Sequence, residues 1–467
     1  MPGPYPGTVA GTAAAVRTGE RSASDNVEAA LVSAVAHSAL NAFTILHDEP
    51  ARAAAAAVDR AVANGDDPGP LAGVPVAVKD LVDEAGIPNT RGSRFPPDVP
   101  ESDAPVVSRL RAAGAVIIGR TGLHEFAFGF SSENEHFGPV RNPWDPTTSP
   151  GGSSGGSGAA VGAGIVPAAI GTDTGGSVRV PAALCGAVGL KVSHGRVSTT
   201  GVYPLAPSID TVGPIAATVA DAAAIYGVIA GFDVSDPWSR DRPVLPPRMT
   251  APGDVRLGIP HPWVDRPMSV EVAAAWDWFL SAARGAGIEL VDLELPELVY
   301  PGKMPESVYP EVAAIHRERY EAEPERYGRE VGERIASTLG YTMHDYLRGL
   351  AWRARIRDAA DAGLAQCDAL VTPTVAAMRK EIGVDTVEID GAPVGYRVAL
   401  SCFTAIVNHA GLPALAVPLA SAGAPPPSVQ LIGPMWGESG LLGVGLALES
   451  AGIASSPAPA AASPRRA

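Results

Sequence analysis

The stretch SPGGSSGGSGAAVGAG, Ser149 to Gly164, decides how this chain is read. By composition alone it is a flexible connector, because glycine and serine at this density bury little and keep their backbone freedom. Its surroundings oppose that reading. Ala159 to Ile170 is almost wholly apolar, and GTDTGGSVRVPAALCG, Gly171 to Gly186, follows at once. A connector separates two cores, whereas this segment lies between stretches that need burial.

Outward from it, helix and strand periods alternate. Residues 25–64 are rich in alanine, with apolar positions at helical spacing, as in NVEAALVSAVAHSALNAF, and predict two helices. GPLAGVPVAVKDLVDEAG places Val74, Val76 and Val78 at strand period, ending at Lys79-Asp80. SDAPVVSRLRAAGAVIIGRTG predicts a capped helix, a glycine stop and a buried strand over Val116–Ile118. Val166 to Ile170 reads as a strand and Val178 to Cys185 as a short helix, with Pro181 tolerated near its start. CDALVTPTV and GLPALAVPLA read as buried strands of the same core, and the charged run His316 to Arg334 as a solvated helical face. This alternation is that of an α/β protein.

Composition sets the outer limits. The 467 residues, 46% hydrophobic and 18% charged, suit a sizeable interior within one large domain. A net charge of −15 disfavours direct nucleic-acid binding and adhesion to an anionic membrane. Cys185, Cys367 and Cys402 match no zinc or redox spacing, and so sparse a set suits a reducing compartment. The N-terminus has no basic region followed by an apolar run, and no long uncharged apolar stretch suggests a spanning helix. A cytoplasmic protein is the expectation.

Two segments could carry a reactive serine. Gly152-Ser153-Ser154-Gly155-Gly156 formally satisfies the G-x-S-x-G elbow, but RNPWDPTTSP before it has three prolines in ten residues and is no central strand. Neither glycine-rich segment carries the Gly-Lys-Ser/Thr of a phosphate loop. Gly171 to Ser177 is better placed. Ser177 would stand at a helix N-terminus behind two glycines, where successive amides can point at one spot. Its hydroxyl needs a base. None of the nine histidines sits in a recognisable triad context. A lysine serves when desolvation lowers its pKa. Lys79, ending an apolar strand, is the candidate, although a strand-end lysine reaching solvent is the plainer reading of that segment alone.

Together, GVPVAVKD, TGLHEFAFGFSSENEHFGPVRNPWDPTTSPGGSSGGSGAAVGAG and IGTDTGGSVRVPAALCGAVGLKVSHGRVS resemble the amidase signature family. The likeness is densest over 73–220, extends loosely through SIDTVGPIAATVADAAAIYGVIAG and TAIVNHAGLPALAVPL, and is thin over 235–365. It implies a single α/β domain with a central mixed sheet covered by helices on both faces. It further implies a Ser–cis-Ser–Lys triad: Ser177 the nucleophile, Ser153 a bridging serine on a cis peptide, and Lys79 the neutral base. The amides of Thr174, Gly175, Gly176 and Ser177 would form the oxyanion hole. Ser154, Asp173 and Arg179 would brace the loops, and Ala127, Phe128 and Gly129 would line the acyl pocket. Phe126, Phe128 and Phe130 alternate, as on a strand. His124 reads as structural. No metal or organic cofactor is required, and a homodimer is a family-level expectation.

The activity so implied is hydrolysis of a small carboxylic amide, through an acyl-Ser177 intermediate, to acid plus ammonia or amine. The rival is the glutamine-hydrolysing component of a tRNA-dependent amidotransferase complex. Those components have glutamine where this chain has Val180, and an acidic residue near the place of Ser401. Arg334 could match their carboxylate-binding arginine. The free-standing amidase is favoured, since a buried ammonium needs an anionic partner. The expected organisation is an N-terminal helical region (1–65), a core with the triad (66–230), a mainly helical region shaping the pocket (231–370), C-terminal elements of the same core (371–452) and a disordered tail (453–467).

Overall fold

The structure, a computed structural model, describes residues 7–421 and 423–455. Its main sheet has eleven strands: β1 (Phe43–Leu46), β2 (Pro75–Lys79), β3 (Val116–Thr121), β4 (Ala168–Asp173), β5 (Val188–Lys191), β6 (Thr211–Ala216), β7 (Arg256–His261), β8 (Glu289–Glu294), β9 (Ala369–Pro373), β10 (Ala414–Pro418) and β11 (Ser428–Ile432). Across the sheet they lie in the order β1-β3-β2-β4-β6-β5-β10-β11-β9-β7-β8. The sheet is mixed. β2 runs parallel to β3 and to β4, whereas β4 is antiparallel to β6. Two small hairpins lie outside it.

Every residue of β2, β3 and β4 is buried, so the sheet is covered on both faces. Along β2, Val76 and Val78 enter one apolar cluster while Ala77 enters another. The valine period therefore records two packed faces, as parallel strands require, rather than one wet face and one dry. The parallel register Val76 to Ala168 through Val78 to Ile170 brings the carboxyl ends of β2 and β4 side by side. In open α/β sheets that edge is where ligands bind.

Several expectations are corrected. The region 25–64 holds helices Ala23–Ala36 and Asp48–Asn64, but the edge strand β1 lies between them. The phenylalanines at 126, 128 and 130 are not on a strand. Glu125–Ala127 is a tight turn in which Phe126 and Ala127 take φ of 49° and 59°. The run from His316 is not a solvated face throughout. It closes the helix Met304–Ala322, breaks, and resumes as Arg329–Thr338, burying His316, Tyr327 and Val331 with Phe95 and Phe126. Ile453 and Ala454 are buried, and Ala454 bridges Leu419, so the expected tail boundary at 453 falls inside the core. Residues 456–467 lie outside the described residues.

Candidate active site

The segment Gly152–Gly164 is no connector. Gly155–Gly162 is a helix with every residue buried. It lies so close to its neighbours that a Cβ on Gly156 would come within 2.4 Å of the Ala42 carbonyl oxygen. The Gly152–Ser153 peptide immediately before it is cis. The Ser154 hydroxyl donates to the Thr172 carbonyl and accepts from the Thr172 amide, both at 3.2 Å, which fastens the segment to the end of β4.

Lys79 ends β2 directly beneath it and is fully buried. Its Nζ lies 2.7 Å from Ser153 Oγ and 2.8 Å from Thr172 Oγ1. Burial pushes the ammonium down to about 7, against the pull of the Asp173 and Asp210 carboxylates. An amine that would be charged in water is therefore close to half neutral at physiological pH.

Ser177 stands on the turn that follows β4. That turn is held from below by Asp173, which accepts from Arg179 Nε and Nη2 at 3.0 Å each, from Asn408 Nδ2 at 2.8 Å and from the Gly176 amide at 2.7 Å. Burial by itself would raise the Asp173 carboxyl, but the Arg179 guanidinium and these donors hold it at about 2. Arg179 spends its remaining donors on the Thr404 carbonyl, Gln430 Oε1 and Asn408 Oδ1, so its whole fork is satisfied. Gly176 has φ of 133°, and a Cβ there would meet Thr404 Oγ1 at 2.3 Å. Its amide points at Asp173 rather than outward, which removes it from the four expected to converge on an oxyanion. Among the described residues the amides of Thr174, Gly175 and Ser177, and the Ser177 hydroxyl, have no hydrogen-bond partner.

Ser177, Thr174 and Gly175 form one wall of a cavity of about 320 Å³. Ala127, Phe128, Gly129 and Phe130 form another, so Phe128 reaches the pocket while Phe126 is packed away from it. His124 supports this wall from behind. A Cβ on Gly129 would come within 2.2 Å of its ring, and burial lowers the imidazole to about 4. The helical region supplies Met304, Tyr309 and Arg334 among others, and Arg397, Ser401 and His409 also line the cavity. Arg397 is paired with Glu330 at 3.0 Å, but no carboxylate lies within ion-pair distance of Arg334 among the described residues. The Arg334 guanidinium lies over the Phe128 ring and donates to the Phe128 carbonyl. Among the described residues no aspartate or glutamate lines the cavity.

Sequence reasoning passed over Thr172, the second partner of Lys79, and Asp210. Asp210 accepts from Thr174 Oγ1 at 2.6 Å and from the Leu205 and Ala206 amides. The signal for Asp210 was a lone acid in SIDTVGP between apolar stretches, where burial demands donors.

The Amidase family matches residues 25–442 of the chain. The glutamyl-tRNA(Gln) amidotransferase A subunit of Anaeromyxobacter sp. (strain K) is 39% identical over 460 residues, 92% of each chain. The AtzE subunit of the 1-carboxybiuret hydrolase of Pseudomonas sp. (strain ADP) is 37% identical over 449 residues, 94% of this chain and 97% of its own. A solved vestigial protein complex bearing on the origins of an s-triazine catabolic enzyme superposes with a TM-score of 0.89 at 35% identity, over 97% of this chain and all of that one. Among the described residues no helix is long and apolar enough to cross a membrane. This chain belongs to the amidase family, hydrolases that cleave amide C–N bonds.

Proposed function

We propose that the chain hydrolyses a small carboxylic amide through an acyl-Ser177 intermediate, with Lys79 as base and Ser153 as relay. The observation that carries this reading is the buried Lys79 amine at 2.7 Å from Ser153, with its pKa brought to about 7. Neutral Lys79 takes the Ser153 proton as Ser153 takes that of Ser177. The relay closes when the Ser177 hydroxyl swings onto Ser153, a contact that commonly tightens only with substrate bound. Ser177 Oγ bonds to the amide carbon, and the amides of Thr174, Gly175 and Ser177 stabilise the oxyanion. The C–N bond then breaks while the proton returns through Ser153 to the leaving nitrogen. Water attacks the acyl-enzyme by the same proton path, releasing the acid and restoring Ser177. Asp173 and Arg179 position the loop, and no step calls for a metal or organic cofactor.

A cavity wall without a carboxylate among the described residues, with Arg334 facing it, favours an acyl portion that is neutral or anionic over one bearing an ammonium. Arg334 also supports the rival, since a glutamine carboxylate could reach it. Purified protein alone is expected to release ammonia from small amides, and Ser177→Ala to abolish release. Release from glutamine only, and only with the other amidotransferase components added, would overturn the free-standing reading.

A further inference from the structure

His409 lies in the short helix Ala405–Ala410, on the wall of the same cavity, and the amide chemistry leaves it unused. Its Nδ1 is 2.8 Å from the hydroxyl of Ser307, which is itself fully buried. The Ser307 hydroxyl also lies 3.1 Å from the Met304 carbonyl. A carbonyl can only accept, so the serine proton satisfies that contact, and the serine oxygen then accepts from Nδ1–H. Only this tautomer fulfils both contacts. It leaves Nε2 as a bare lone pair with no protein partner among the described residues, on a ring that meets Trp352 in a T-shaped contact with centroids 5.3 Å apart. Burial and the Arg353 charge hold the ring well below its ordinary pKa, so it stays neutral.

We infer that His409 Nε2, its tautomer set by Ser307, is the acceptor that reads a hydrogen-bond donor on the acyl portion of the substrate. This rests on the amidase reading and deepens it. The favoured substrates are amides whose acyl chain carries an O–H or uncharged N–H group remote from the scissile carbonyl. Arg334 offers donors in the same cavity, so the pocket distinguishes the two polarities by position. A site built to accept a hydrogen bond discriminates strongly, because a mismatched ligand leaves a buried polar atom unpaired.

The test uses a chain-length series of ω-hydroxyalkanamides. Each is paired with the alkanamide in which methyl replaces hydroxyl and with the ω-methoxy amide, which cannot donate. At the best length, kcat/KM is expected to favour the hydroxyl member by about tenfold or more over both partners. His409→Leu should collapse that ratio to near unity, and His409→Gln, which keeps an acceptor oxygen, should preserve part of it. Ser307→Ala frees the ring to protonate at Nε2 and should shift the ratio toward the methoxy member, which a purely structural histidine would not do. The same ratios are measured as binding affinities in the Ser177→Ala background, so the inference is decided even if no amide is turned over. Equal treatment of the three amides, or a preference that survives His409→Leu, overturns it without touching the triad.

Discussion

Two buried lysines in this protein have their ammonium groups lowered to about 7, and contact chemistry separates their roles. Lys191 Nζ donates to the Val192 and Leu412 carbonyls, which have no proton to give up. Lys79 faces two hydroxyls. If Lys79 is the proposed base, its depressed pKa fixes the sign of the pH dependence: the amine is protonated below about 7 and free to take a proton above it. We expect kcat/KM to rise about tenfold per pH unit on the acid side and to level off beyond that midpoint. A profile flat through this range would remove Lys79 from the base role. Lys79→Ala should cost about 10²–10⁴ in kcat, and Lys79→Arg, which stays charged, should not restore it. The sequence made Lys79 the candidate base, although GVPVAVKD alone reads more plainly as ending in a strand-end lysine that reaches solvent. Nothing local to GVPVAVKD encodes a desolvation that depends on Ser153, 74 positions away.

At the scale of elements, the turn that carries Ser177 is a joint between three parts of the chain. Arg179 ties the end of β4 to Thr404 and Asn408 and, through Gln430, to β11. The two halves of this joint were unequally legible. Asp173 and Arg179 lie six positions apart in one motif, whereas their remote partners are set by the strand order alone. Removing the guanidinium leaves Asp173 buried and uncompensated, so Arg179→Met should destabilise the fold by about 3–5 kcal/mol, read by chemical denaturation. Arg179→Lys should rescue little of this, since an ammonium cannot supply five donors in a fixed fork. The Asp173 carboxyl is depressed from 3.8 to about 2, so this contribution is complete above its ordinary pKa and is lost as pH falls through about 2. Gly176→Ala strikes the joint differently. Its φ of 133° and the 2.3 Å approach to Thr404 would displace the Ser177 turn, and we expect activity to fall more steeply than stability.

Over the whole molecule, the composition and the helix–strand alternation disclosed one large α/β core, but not which elements close its edge. The strand β1 escaped notice because Phe43–Leu46 is short and flanked by alanine-rich helices, so helical period dominates any window that contains it. Its role is tertiary: it pairs antiparallel with β3 and caps that side of the sheet. The helices Val9–Arg17 and Ala23–Ala36 bury Val9, Val16, Val27 and Leu31, and the Val9 amide donates to Asp221 at 2.7 Å, across 212 positions. At about 1.5–3 kcal/mol for each such side chain, these four contribute roughly 6–12 kcal/mol of burial. That matches the entire net stability of a typical domain, about 5–15 kcal/mol. The N-terminal region is therefore part of the core that holds β2 and Lys79 in place. Deleting residues 1–64 should yield protein that aggregates and shows no cooperative unfolding transition. A monodisperse, active truncation would mean instead that β3 tolerates an open edge and that the site is assembled without this flank.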